Sequence, residues 1–183
     1  ATVFNRRRGG VLLHITSLPS GNIGTDAYRF VDFLHAAGMT VWQMLPLGPT
    51  HGDNSPYQCI SAHAANSDLI CIDTLRAQSW ANFDGEETDR QILLAQAYEQ
   101  FESNASNGQK HDFDSFCQQQ AYWLEDYILF CQIRESYQSK GWFDWPELLR
   151  DRDADILAAF KARHQQALTK KCFEQFQFFD ERI

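Results

Sequence analysis

Two short apolar runs on either side of one amphipathic helix constrain this chain most. Gly10-Val11-Leu12-Leu13-His14 is one run, and Thr40-Val41-Trp42-Gln43-Met44-Leu45-Pro46-Leu47 is the other. Apolar runs that do not alternate read as strands buried on both faces, as in a parallel sheet. Between them, Ala27, Phe30, Val31 and Leu34 recur at i, i+3, i+4 and i+7, which is one stripe of a helix. Thr25 stands where an N-cap is expected, and Asp26 falls in the first turn, where negative charge suits the helix dipole. Gly38 is placed to stop the helix. Ser17 to Gly24 is dense in turn residues and reads as a loop. Residues 10–47 are therefore expected to form strand, helix, strand: one right-handed βαβ unit with parallel strands. Ligands in such folds gather beyond the carboxyl ends of the strands. That rule marks the loop after His14 and the loop after Leu47.

From Asp73 onward the pattern is helical. A helix is expected over 86–102, with Ile92, Leu93, Ala97 and Phe101 as its buried stripe. The polar stretch Asn104–Asp112, which contains Gly108, reads as a loop. The longest helix is expected over 113–139, with Phe113, Phe116, Cys117, Leu124, Tyr127, Ile128 and Cys131 near the 3.6-residue period. Trp142-Phe143-Asp144-Trp145-Pro146 breaks it, and helices over 153–163 and 165–179 close the chain. The fold class is α/β. One βαβ unit with a helical tail cannot cover both faces of a parallel sheet, and a closed (β/α)8 barrel needs about 250 residues against the 183 present.

Composition excludes several functions. Sixteen Lys and Arg stand against 24 Asp and Glu, a formal charge of −8, which gives no general electrostatic reason to bind nucleic acid. Arg6-Arg7-Arg8 is the one basic cluster and reads as a solvated lead-in to the first strand. No apolar run reaches the roughly 18 residues that span a bilayer, and no apolar segment precedes a cleavage site, so no membrane association is expected. The cysteines are Cys59, Cys71, Cys117, Cys131 and Cys172; their number is odd, their spacing is wide and no Cys-x-x-Cys occurs. That pattern fits reduced thiols in the cytoplasm, serving as small buried hydrophobes. Aromatic residues make up 14% of the chain. Such an excess beside net negative charge suits a sugar-handling protein, because a pyranose offers an apolar C–H face to a flat ring.

The second marked loop reads Gly48-Pro49-Thr50-His51-Gly52-Asp53-Asn54-Ser55-Pro56-Tyr57-Gln58. Pro56 restricts Ser55 to extended geometry, which can present Tyr57 as a rigid platform. A tyrosine there can stack on a sugar face, while Asn54, Ser55 and Gln58 can bond its hydroxyls. The alternative is a turn whose tyrosine packs back onto the fold. His14 ends the first strand at the ligand-side rim, in reach of a sugar hydroxyl or of a structural hydrogen bond. His51 and Asp53 cannot make a metal site without further ligands. Ser55 lacks the Gly-x-Ser-x-Gly elbow of a hydrolase nucleophile. Glu86-Glu87, Asp151 and Asp153 fall near helix starts, where acids are expected. Trp142 and Trp145 can form an outer sugar platform or anchor a loop to the core.

Three strings in order carry a family resemblance. They are Gly10-Val11-Leu12-Leu13-His14-x-Thr16-Ser17-Leu18-Pro19; Trp42-Gln43-x-Leu45-Pro46-Leu47-Gly48-Pro49-Thr50; and Ser55-Pro56-Tyr57-Gln58 followed by Ser61-Ala62-x-Ala64-x-Asn66. Together they resemble the amino-terminal portion of the 4-alpha-glucanotransferases known as amylomaltases or disproportionating enzymes, glycoside hydrolase family 77. Trp142-Phe143-Asp144-Trp145-Pro146 with Leu149-Arg150-x-Arg152 resembles the family's helical region.

The resemblance implies an incomplete (β/α)8 TIM barrel, with residues 1–72 as its start and 73–183 as a mainly helical insertion that returns towards the barrel. The missing carboxy-terminal part of the barrel is the partner it implies. The implied activity is a glycosyltransferase reaction of maltodextrin metabolism: transfer of an alpha-1,4-glucan segment to glucose or another alpha-glucan by retaining double displacement, with no cofactor. The alternatives are a non-catalytic carbohydrate-binding remnant and a hydrolytic barrel enzyme of the alpha-amylase type. Tyr57 matches the family tyrosine that stacks on the sugar next to the scissile bond, and Ser55 matches a neighbouring contact. Asn54, Pro56, Gln58 and His14 complete the expected substrate-binding set. The family's nucleophile, acid/base and second aspartate lie on later strands, so no catalytic carboxylate is expected among these 183 residues. His51-Gly52-Asp53-Asn54 replaces the Gly-Tyr-Gly-Asp of many members, which removes a tyrosine that often supplies a second glucan contact.

Overall fold

A computed structural model describes residues 7–78, 80 and 89–180. Arg6, Glu86 and Glu87 lie outside the described residues.

The expected βαβ unit is present. β1 (Gly10–Leu12) and β2 (Val41–Gln43) pair in parallel, with Gly10 opposite Val41 and Leu12 opposite Gln43. α1 (Thr25–Ala36) crosses between them. The helix ends in a Schellman arrangement: the Gly38 N–H donates to the His35 carbonyl at 3.0 Å and the Met39 N–H to the Leu34 carbonyl at 2.9 Å. Gly38 has φ +72°, the left-handed conformation that glycine adopts without strain.

The start of α1 differs from expectation. Gly24, not Thr25, is the N-cap. A Cβ at Gly24 would lie 2.5 Å from the Cys71 Sγ, so the approach of Cys71, just before the helix over Ile72–Ala77, demands a glycine there. Asp26 sits in the first turn as expected and accepts the Ser20 N–H at 3.0 Å.

The strands are shorter than their apolar runs and only half-covered. Leu12 is 61% exposed and Val41 38%, because the two strands make a sheet of only two among the described residues. Within the expected stripe of α1, Ala27 and Leu34 are buried, while Phe30 is half-buried and Val31 exposed. Ile15, Ile23, Ala27 and Leu69 form the core beneath, with Trp42, Met44, Leu47 and Phe178 packed against it. Trp42 ties the strand ends together. Its indole N–H donates to the Leu13 carbonyl at 2.8 Å, and its ring meets Phe30 edge-on at 4.9 Å.

The remaining helices are α2 (Ile72–Ala77), α3 (Arg90–Asn104), α4 (Asn107–Ser136), α5 (Glu147–Arg150), α6 (Ala154–Arg163) and α7 (Gln165–Asp180). The chain forms two compact units, Ala1–Gln100 with Gln177–Ile183, and Phe101–Phe176. In the first unit, the Arg90 guanidinium donates to the carbonyls of Ser67 and Ile70.

In the second unit, the expected loop over 104–112 is almost entirely helix. Ser106 and Gln109 form a capping box, with the Gln109 N–H on the Ser106 Oγ at 3.3 Å and the Ser106 N–H on the Gln109 Oε1 at 2.9 Å. Two satisfied donors start α4 early and tolerate Gly108 in its first turn. Phe101, Phe113, Phe173 and Phe176 gather with centroids 5.0–6.3 Å apart. Trp145 is buried against Phe130 at 5.4 Å, so it serves as the loop-to-core anchor. Of the cysteines only Cys71 is buried; the other four are half-buried.

A Cβ at Gly10 would fall 2.6 Å from the Val41 carbonyl oxygen and 2.7 Å from the Val41 Cβ. Gly10→Ala is expected to cost about 1–3 kcal/mol of stability through forced separation of the strands. Gly52→Ala, where an added Cβ meets nothing within 4 Å, is the control and should be near neutral. Urea unfolding midpoints of the two variants check this, and equal midpoints would contradict it.

Candidate functional site

The parallel register brings the carboxyl ends of β1 and β2 to one edge, and the loop that leaves β2 is closed on itself. Thr50 and Cys59 form an antiparallel bridge. The Ile60 N–H donates to the Pro49 carbonyl at 2.7 Å and the Asn66 N–H to the Leu47 carbonyl at 2.9 Å. Gly48 permits this closure. A Cβ there would lie 2.9 Å from the Cys59 Sγ and 3.1 Å from the Ser61 carbonyl oxygen.

Within the loop every turn has its bond. The Asn54 N–H donates to the His51 carbonyl at 3.0 Å, and the Asp53 carboxylate accepts the Ser55 N–H at 3.2 Å. Asn54 takes φ +54°, a conformation asparagine adopts more readily than most residues. The Gln58 N–H donates to the Ser55 carbonyl at 3.1 Å, and the Cys59 thiol donates to the Pro56 carbonyl at 3.1 Å. Beyond it, the Ser61 Oγ accepts the N–H groups of His63 and Ala64 at 3.2 and 3.1 Å. The loop is thus a folded platform.

Tyr57 stands on that platform, 75% exposed, rather than packing back onto the fold. It lines an open cleft of about 610 Å³. Pro46, Leu47 and Gly48 from the end of β2, Pro56 and Cys59 from the loop, the 61–65 segment, and Phe178 and Phe179 complete its walls. A broad cleft with apolar walls, one flat exposed ring and backbone polar groups nearby suits a ligand that has both an apolar face and hydroxyls.

Of the residues singled out in the sequence, Pro56 and Tyr57 line this cleft. Ser55 is half-buried beside them, its N–H held by Asp53. Asn54 and Gln58 are exposed on the same loop outside the lining. His14 lies just past β1, also outside the lining; its Nδ1 is buried and has no hydrogen-bond partner among the described residues. Burial holds the His14 imidazole below its ordinary pKa, which favours the neutral ring. Asp53 acts on the loop backbone. Among the described residues no group of three His, Cys, Asp or Glu side chains gathers as a metal site. Phe178 and Phe179 were not foreseen. They lie more than a hundred residues beyond Tyr57, and helical periodicity alone gives no sign that they return to this cleft.

Known proteins resemble the chain closely. The family model described as 4-alpha-glucanotransferase matches residues 13–182. A 4-alpha-glucanotransferase of Synechocystis is 36% identical over 194 aligned residues, covering 95% of this chain and 38% of that protein. One from Thermus thermophilus is 35% identical, covering 94% of this chain and 38% of that protein. An amylomaltase from Streptococcus agalactiae in complex with acarbose superposes with a TM-score of 0.88 at 29% identity, covering 96% of this chain and 39% of that one. The chain therefore spans about two fifths of the length of the relatives it matches.

The depressed pKa of His14 sets a pH dependence. The unfolded chain binds the proton more readily, so this stability is fully present above the unfolded value of about 6.5 and is lost as pH falls towards the lower folded value. Thermal melts from pH 7.5 to 5 are expected to show the loss, and His14→Gln should reduce it. An unchanged slope in the variant would contradict the assignment.

Proposed function

The chain belongs to the 4-alpha-glucanotransferase family, and from that premise we propose that it forms the opening βα segment of a (β/α)8 barrel and its helical insertion. The whole protein transfers alpha-1,4-glucan segments to glucose or another alpha-glucan. It acts in the cytoplasm in maltodextrin metabolism. Residues 1–72 belong to the barrel and 73–183 to the insertion and its return. The observation that carries the reading is the 75% exposed Tyr57 ring on a hydrogen-bonded loop beside an open cleft. The acarbose held by the structural neighbour supports a ligand of this kind.

In this reading Tyr57 lays its ring against the C–H face of one glucose unit. Stacking on the apolar face leaves the hydroxyl edge to polar groups, with Ser55, Asn54, Gln58 and Pro56 around it and His14 at the adjoining strand end. Burial favours the neutral His14 ring, and its Nδ1 is enclosed rather than open to a hydroxyl. Retaining transfer needs a carboxylate that attacks the anomeric carbon while a carboxylic acid protonates the departing oxygen, the pair about 5–5.5 Å apart. The acceptor's 4-hydroxyl then displaces the enzyme carboxylate and returns its proton to the acid's conjugate base. We assign none of these carboxyl groups to this chain. They belong to the part of the family length that it does not span. The role of these residues is to bind and orient the sugar, which fixes the scissile bond relative to acids supplied elsewhere.

Two outcomes are expected. In the full-length protein, Tyr57→Ala should lower maltotriose disproportionation by about 100-fold, within the range for lost substrate positioning, with an unchanged melting temperature. Tyr57→Phe should retain most of the activity; near wild-type turnover by the alanine variant would remove Tyr57 from the site. The 183-residue chain alone should release neither longer dextrins nor glucose from maltotriose. Product analysis also separates transfer, which makes longer dextrins plus glucose, from hydrolysis, which accumulates short sugars only.

A further inference from the structure

The second compact unit holds a smaller cleft, of about 210 Å³, between the α4 surface, the 142–145 turn and the residues that follow it. Leu129, Ile133 and Leu157 supply apolar wall, Trp142 stands at the margin 56% exposed, and Arg150 and Arg152 add guanidinium groups. Clefts that hold drug-sized molecules run from about 300 Å³ upward, so the occupant here is smaller.

The charges narrow its chemistry. Arg150 grips the Asp151 carboxylate at 2.8 and 3.2 Å and has Glu147 at 4.0 Å, while Arg152 holds Asp126 at 2.6 Å. Both guanidinium groups are already paired with carboxylates that do not themselves line the cleft, which disfavours a phosphate or carboxylate ligand. A wholly apolar segment would strip water from these charged pairs without offering a hydrogen bond in its place. A neutral ring with one C–H face and hydroxyls around its edge meets both demands.

The two tryptophans divide the work. Trp145 is buried and its indole N–H is spent on the Lys140 carbonyl at 3.3 Å. Among the described residues Trp142 shows no hydrogen bond from its indole, and its one aromatic neighbour there is Phe143, edge-on at 6.1 Å. An indole that is 56% exposed can stack on a sugar face. Arg152 has φ +61° because it is the left-handed residue of a Schellman arrangement ending α5, with its N–H on the Leu149 carbonyl at 3.2 Å and the Asp153 N–H on the Leu148 carbonyl at 2.9 Å.

We propose that this cleft is an auxiliary binding site for one pyranose unit of a neutral alpha-glucan, with Trp142 as the stacking platform and the guanidinium groups of Arg150 and Arg152 as hydroxyl partners. The choice of glucan rests on the function proposed above. A chain held there adds a second point of attachment for long substrates and raises their effective concentration at the protein.

The test is electrophoresis of the full-length protein through native gels containing amylose. Tyr57→Ala is expected to remain retarded, and adding Trp142→Ala to it should weaken the affinity about ten-fold. Adding Leu157→Trp, which fills the cleft and leaves the charged groups intact, should do the same. Thermal melts confirm folding. If the double variants are retarded as Tyr57→Ala is, or if Tyr57→Ala alone abolishes retardation, the auxiliary site is overturned while the function assigned to Tyr57 stands. Full maltotriose turnover by Tyr57→Ala would instead overturn that function and leave the retardation result to decide the Trp142 cleft.

Discussion

The structure depends on the parallel pairing of β1 with β2, locked by the bond from the Trp42 indole to the Leu13 carbonyl. A parallel register sends both strands out at the same edge. The loops that follow them therefore start side by side, one carrying His14 and the other Tyr57. Gly10 allows the strands to approach, and Gly48 allows the second loop to close. An antiparallel pairing of the same two segments would place those loops at opposite ends. The candidate site then would not exist, whatever residues it contained.

The local order of the chain was legible where a short-range signal decided it. The α1 stripe, its Schellman end at Gly38 and the break at Trp142 to Pro146 all follow from spacing and from residues with special backbone behaviour. The capping box at Ser106 was also written in the sequence, but the polar run around it read as a loop. The misplacement of the N-cap has a different origin. Gly24 is set by the Cys71 thiol, a contact across nearly fifty residues that no local pattern carries. The half-exposed strands show the same limit, since an apolar run states that a strand can be buried and not what covers it.

The site was legible in part. Tyr57 and Pro56 stood out because a Pro-restrained tyrosine after a parallel strand is where a ligand platform is expected, and both line a cleft. Phe178 and Phe179 were invisible because their position depends on where α7 ends. The aromatic excess turned out to be mainly structural: Phe101, Phe113, Phe116, Phe173 and Phe176 pack on one another in the second unit. A ring that is both exposed and at the edge of a cleft differs from such packing. By that measure Tyr57 and Trp142 stand apart from the buried Trp145, although all three are flat rings in similar company.

The central claim is that the Tyr57 ring lies face to face with a glucose unit. Intermolecular nuclear Overhauser effects between the Tyr57 ring protons and the C–H protons of bound maltotetraose test it directly. The account expects contacts to the C–H protons of one pyranose face. Contacts confined to other residues, with maltotetraose bound and the Tyr57 ring silent, would contradict it.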